Sequence, residues 1–226
     1  MSIMHIILDN GHGTDDFTNG KYSPILNPNE FDCESSLVYK YRYREGNGNR
    51  EIVNRLRYYL TTYLTDVKVH IVVPEKNDIS LKERVQRINK ICDKYGVNNC
   101  IMISVHSNAT DGESWSNATG LSVHIADNAS LRSKDLAKQV YEAGAVMGYA
   151  GNRSVPREHY WVNNFYIIKH CKCPCILTEN LFYTNKSDLK LLMSERGIDD
   201  IVKYHAAGIM KYMSQQIERT SLKRSK

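Results

Sequence analysis

Ile3-Met4-His5-Ile6-Ile7-Leu8-Asp9-Asn10-Gly11-His12-Gly13 is an apolar run that breaks at a glycine-flanked histidine. Residues 3–8 have the length and composition of a buried strand. The Gly-His-Gly that follows presents an imidazole at the strand's end, on a backbone free to approach a ligand closely. Taken alone, Asn10-Gly11-His12-Gly13 reads equally well as a plain turn. What lies downstream bears on the choice.

Further short apolar runs at 67–73, 100–105, 121–125 and 175–178 alternate with amphipathic stretches. Ile52, Val53, Leu56, Tyr59, Leu60 and Tyr63 recur at helical spacing. Ser80-Leu81-Lys82-Glu83 is a capping box opening a second helix, with Val85, Ile88, Ile91 and Cys92 on one face. Two more helical patterns run over 132–147 and 198–217. This alternation predicts a single-domain α/β fold, a mostly parallel twisted sheet with helices on both faces. Three polar connections, 13–44, 107–119 and 150–164, are long enough to be functional loops.

Composition sets outer limits. The 226 residues are 42% hydrophobic and 24% charged, ordinary for a globular domain with a real core. The net charge of +5 is modest, and much of it lies in Lys223-Arg224-Ser225-Lys226. The chain therefore divides into a domain over 1–218 and a basic C-terminal tail over 219–226. No basic stripe with interleaved aromatics points to nucleic acid, and no apolar run approaches a membrane span. Residues 3–8 are too short for a signal h-region, so the expectation is cytoplasmic synthesis without a Sec signal. The six cysteines lack the spacing of a disulfide scaffold. Cys171-Lys172-Cys173-Pro174-Cys175 reads as structural thiols entering an apolar segment, with a soft-metal clip as the alternative.

Of the eight histidines, His5, His70 and His124 fall within strands, His205 on the last helix, and His159 and His170 beside a loop. Only His12 and His106 sit just past the C-terminal end of an apolar run, where open α/β sheets place their ligands. A hydrolytic zinc site takes three protein ligands, so two histidines ask for one carboxylate. Glu45 and Glu51 compete for that place. Glu179 follows the apolar Cys175-Ile176-Leu177-Thr178 and has no easy packing explanation. It reads as a general base, or else as a salt-bridged or capping glutamate.

The succession Asp9-Asn10-Gly11-His12-Gly13, a glutamate, Ser80-Leu-Lys-Glu-Arg-Val85, Ser104-Val-His-Ser-Asn-Ala109 and Thr178-Glu-Asn-Leu-Phe182 resembles the zinc-dependent N-acetylmuramoyl-L-alanine amidases of the Amidase_3 type. The likeness runs from residue 3 to about 195. It implies a Zn2+ cofactor held by His12, a glutamate of the first helix and His106, with Glu179 catalytic. In that family an asparagine stands four positions after the zinc glutamate. Glu45 has Asn49 there and Glu51 has Arg55, which favours Glu45. The implied reaction is hydrolysis of the amide between N-acetylmuramic acid and L-alanine in peptidoglycan, by a monomer acting on the cell wall. Release of phage-lysin type and other non-Sec routes both fit. A zinc exopeptidase, another amidohydrolase and a degenerate wall-binding module are the competing readings. Asn10 and Asn108 are expected to orient the imidazoles, and Tyr22, Trp115, Tyr160, Trp161 and Tyr166 are candidates to stack on sugars. The sequence departs from the family at Asp9-Asn10-Gly11, usually Asp-Pro-Gly, and at Asn180-Leu181, where a glycine commonly follows the Glu-x pair.

Overall fold

The computed structural model describes residues 3–14, 21–110 and 114–224. In chain order the elements are β1 (Met4–Asn10), β2 (Val38–Tyr39), β3 (Arg42–Tyr43), α1 (Glu45–Tyr63), β4 (Val67–Ile71), α2 (Leu81–Tyr95), β5 (Cys100–Asn108), β6 (Ser122–Ile125), α3 (Leu131–Val146), β7 (Trp161–Val162), α4 (Tyr166–His170), β8 (Cys175–Phe182), α5 (Lys186–Leu192) and α6 (Glu195–Arg224). The main sheet has the order β4-β1-β5-β8-β6-β7. Its neighbours are parallel except β6, which runs antiparallel to β8.

Because side chains alternate along a strand, each central strand feeds two cores. Ile6 and Leu8 of β1, Ile101, Ile103 and Val105 of β5, and Ile176 of β8 pack towards α1, α3 and α6. Ile7, Met102, Cys175 and Leu177 pack on the other face, towards α2 and α4. Burial on both faces explains why these strands read as continuous apolar runs. The predicted sheet with helices on both faces is the fold observed.

Several elements carried no sequence signal. The β2–β3 hairpin lies inside the expected loop 13–44 and turns at Lys40 (φ 46) and Tyr41 (φ 58), both left-handed without being glycine or asparagine. The two-residue edge strand β7 and the short α4 and α5 are too brief to show a period. The last helix continues to Arg224, so residues 219–224 are helical rather than a tail, and 225 and 226 lie outside the described residues. Residues 15–20 of the first expected loop and 111–113 of the second also lie outside them.

Candidate active site

β1 ends in Asp9, Asn10 and then His12 at φ 63, in the left-handed region. Gly11 passes directly against the His106 ring, where a Cβ would collide with the imidazole. Below this turn the Arg84 guanidinium is fully engaged. It donates to Asp9 Oδ1 at 2.7 Å, Asn10 O at 2.8 Å, Asp78 Oδ1 at 2.8 Å and Ile79 O at 2.8 Å. Ser104 Oγ donates to the second Asp9 oxygen at 2.6 Å. The end of β1 is thereby tied to α2 and β5 before any ligand is considered.

Glu45 opens α1, where the exposed amides of a helix start favour a carboxylate. Gly46 lets that first turn lie against the Gly13 carbonyl, bringing Glu45 to the β1 end. Glu45 is buried. Its Oε1 accepts from Asn49 Nδ2 at 3.1 Å and Ser107 N at 3.2 Å, and lies 3.0 Å from His106 Nδ1. Its Oε2 is 3.5 Å from His12 Nε2. Asn49 also donates to Gly11 O at 3.1 Å, joining helix, turn and carboxylate. The His12 and His106 rings meet edge-on, centroids 4.9 Å apart.

Charge follows from this packing. Burial alone would raise the Glu45 carboxyl, but the two imidazoles and the Asn49 amide outweigh it and hold it at about 2. Burial depresses His12, whereas for His106 the Glu45 hydrogen bond and charge overcome burial and raise it.

Glu179 sits beside His106 in the β5–β8 ladder. A bulge follows at once, with one extra residue on β8 between Glu179 and Phe182, and Leu181 takes φ 65. Leucine thus occupies a left-handed position that a glycine would take without strain. Oε2 of Glu179 is buried without a hydrogen-bond partner. Burial drives its pKa up to about 7, with His106 opposing and Glu45 adding to the rise. Behind it, Asn180 Nδ2 donates to His106 O at 2.7 Å and Tyr204 OH donates to Asn180 Oδ1 at 2.6 Å. His205 Nε2 lies 3.0 Å from Thr178 Oγ1. A cavity of about 310 Å3 opens at the site, lined by Asp9, Gly11, His12, Lys21, Asp78 and His106 among others. A larger one, about 580 Å3, lies on the flank of α1 at Tyr39, Arg50 and Glu51 and contains none of the four site groups.

The structure thus brings His12, Glu45 and His106 together, their potential ligand atoms all within 4.8 Å of one another. The donor set fits zinc. Ligands about 2.0–2.1 Å from a tetrahedral ion stand roughly 3.3 Å apart, close to the 3.5 Å between His12 and Glu45. Glu51 lies elsewhere, paired with Arg55 at 2.6 Å. Among the described residues no other group comes together to hold a metal, and the soft-metal alternative fails. Cys171 and Cys175 instead donate to the Ile167 and Ile168 carbonyls. The expected roles of Asn10 and Asn108 also fail. Asn108 Oδ1 takes the nearby Ala109 N, and the buried Asn10 amide has no hydrogen-bond partner. Asn49 and Ser107 hold the site instead. Of the aromatic candidates, Trp161 packs on His124, Trp115 stacks on Phe31, Tyr166 stacks on His170, and Tyr22 bridges to Arg44 beside Glu45.

Two imidazoles and Glu179 where parallel strands end, with Glu45 brought to them by the start of α1 and an open cavity beside them, are the arrangement of a hydrolase of α/β fold. The family model for N-acetylmuramoyl-L-alanine amidase matches residues 6–211, and the chain belongs to that family. It is a hydrolase acting on the amide between N-acetylmuramic acid and L-alanine of peptidoglycan. The fold is shared with solved structures. An N-acetylmuramoyl-L-alanine amidase from Clostridium difficile 630 is 23% identical, with a TM-score of 0.71 over 95% of this chain and 98% of that one. Ami1 from Mycobacterium smegmatis is 18% identical, with a TM-score of 0.73 over 95% and 98%. The catalytic domain of the CD27L endolysin, which targets Clostridia difficile, is 20% identical, with a TM-score of 0.61 over 92% and 97%. A search of the curated proteins finds no match. Among the described residues no helix is long and apolar enough to cross a membrane.

Proposed function

We propose that the chain cleaves the muramoyl–L-alanine amide with His12, Glu45 and His106 holding zinc and Glu179 moving the proton. Bound zinc supplies Lewis acidity, polarising a carbonyl and making water a nucleophile at neutral pH. The protein's part is position and proton transfer. Asn49 and Ser107 keep the Glu45 carboxylate anionic and fixed, and Asn180 restrains the His106 backbone. Glu179 takes a proton from the attacking water on Oε2 and returns it to the alanine nitrogen as the C–N bond breaks. A carboxyl raised to about 7 can serve as base and then acid near neutrality.

The observation that carries this reading is the buried, unpartnered Glu179 Oε2 beside the His12–Glu45–His106 cluster. The four groups lie on one chain, and we take a monomer as the working unit. Cell-wall lysis is a setting consistent with the likeness to an endolysin catalytic domain. The test is Glu179→Gln, with bound zinc and muropeptide release measured on one preparation. Zinc retained with release lowered about 100- to 10,000-fold is the expected result. Full activity overturns the assignment.

A further inference from the structure

Arg153 differs from Arg84 and Arg55. Arg84 donates to two carboxylates and two carbonyls, and Arg55 pairs with Glu51, Glu195 and Asp199. Arg153 Nε and Nη2 are buried and have no hydrogen-bond partner. The guanidinium lies against two aromatic rings, 5.2 Å from the Trp161 centroid and 5.0 Å from that of Phe182. Phe182 is three residues beyond Glu179 on β8. Burial lowers the Arg153 pKa and the charge of Glu179 opposes that shift, so cation and catalytic carboxylate share one electrostatic neighbourhood.

The loop that carries Arg153 is built to hold it still. Gly151 and Gly120 approach so closely that a Cβ on either would strike the other backbone. Asn152 donates to Asn117 O at 2.8 Å and accepts from Thr119 N at 3.2 Å. Asp188 accepts from Gly120 N at 3.1 Å and from Phe182 N at 2.9 Å, locking the same frame to the strand under the guanidinium. A cation thus stands in the neighbourhood of Glu179, with two of its donors shielded from water and no hydrogen-bond acceptor for them among the described residues. Nε and Nη2 share the guanidinium edge that pairs side-on with a carboxylate.

We propose that Arg153 is the receptor for a carboxylate on the stem peptide of the substrate. The inference rests on the amidase reading of this site and adds a specificity determinant to it. On the sugar side of the scissile amide, the lactyl carboxyl is consumed in the bond and no charge remains. The peptide side carries its first candidate at the second stem residue, a glutamate whose α-carboxyl is free in some walls and a carboxamide in others. Arg153 selects the acid, because an amide offers one acceptor and no charge.

The test uses two soluble probes, N-acetylmuramoyl-L-alanyl-D-glutamate and its D-isoglutamine counterpart. Zinc-loaded wild type, Arg153→Gln and Arg153→Lys are compared, with kcat and KM separated and zinc content and melting temperature recorded. Wild type should prefer the acid by roughly 10- to 100-fold in kcat/KM, carried by KM. Arg153→Gln should lose that preference and Arg153→Lys retain part of it. Calorimetric binding of L-alanyl-D-glutamate to metal-free protein gives a readout apart from turnover, and should weaken in Arg153→Gln by a similar factor. Should Arg153→Gln fail to fold, the lysine variant decides. A wild type that cleaves both probes equally, or a variant that slows both equally with the preference intact, overturns this inference alone. Failure of wild type to cleave either probe or purified wall removes the amidase reading and this inference with it.

Discussion

His12 stands at φ 63 between two glycines that are there for space, since neither is itself left-handed. A histidine in that region costs about 1–3 kcal/mol, which the surrounding bonds of Asn49 and Arg84 must sustain. Such strain is typical of a residue held for chemistry. The residue types at the strand ends were legible in the sequence, because His12, His106 and Glu179 each interrupt an apolar pattern. Their support was not. Asn49, Ser107 and Arg153 reach the site through tertiary contacts, while Asn108 bonds its own loop because a short side chain finds the nearest backbone donor first. The two competing glutamates can be separated by measurement. Glu45→Ala should lose bound zinc, since the variant leaves two imidazoles and no anion. Glu51→Ala should keep full zinc stoichiometry and lose only a few tenths of a kcal/mol, its partner Arg55 being partly exposed and screened. Equal retention in both variants would contradict the assignment of Glu45.

α6 is the element whose contribution is least visible from its amphipathic pattern. The pattern identifies Ile201, Val202, His205, Ile209, Met210 and Met213 as inward-facing; Met210 is instead exposed, and the structure shows that Tyr204 and His205 reach the catalytic strand through Asn180 and Thr178. Periodicity reports which face is buried, but not which polar atoms meet there. The same limit hid the β2–β3 hairpin, whose turn lacks its usual residues, and β7, which is only two residues long. His205 gives α6 a measurable pH signature. It is fully buried, its Nδ1 is bonded to Ile201 O at 2.8 Å, and burial lowers its pKa to about 4. The unfolded chain binds the proton at about 6.5 and the folded chain only near 4, so stability rises with pH across that window. On acidification from 6.5 towards 4 this residue alone should remove about 3 kcal/mol. His124, also lowered to about 4, adds loss of the same sign. Denaturant midpoints measured against pH should show the slope, and His205→Gln should reduce it. An unchanged slope would mean that His205 is already accessible to protons in the folded state.

At the scale of the molecule, the site is where otherwise separate layers meet. His12 ends β1, Glu45 begins α1, His106 lies on β5 and Glu179 on β8, so the candidate ligands and base come from four elements joined only by folding. A metal bound by such a set binds the folded chain far better than the unfolded one and must stabilise it by mass action. At a free zinc concentration about 100 times the dissociation constant, the gain is about 2.7 kcal/mol. For a domain of this size that corresponds to a rise of roughly 5–10 °C in melting temperature. Thermal melts of metal-free protein with and without added zinc should show this rise, and a chelator should reverse it. Glu179→Gln should show a shift of the same size, because a base that is not a ligand leaves the linkage intact. If Glu179→Gln abolished the shift while remaining folded, Glu179 would belong to the metal shell, and proton transfer would have to be assigned to another group.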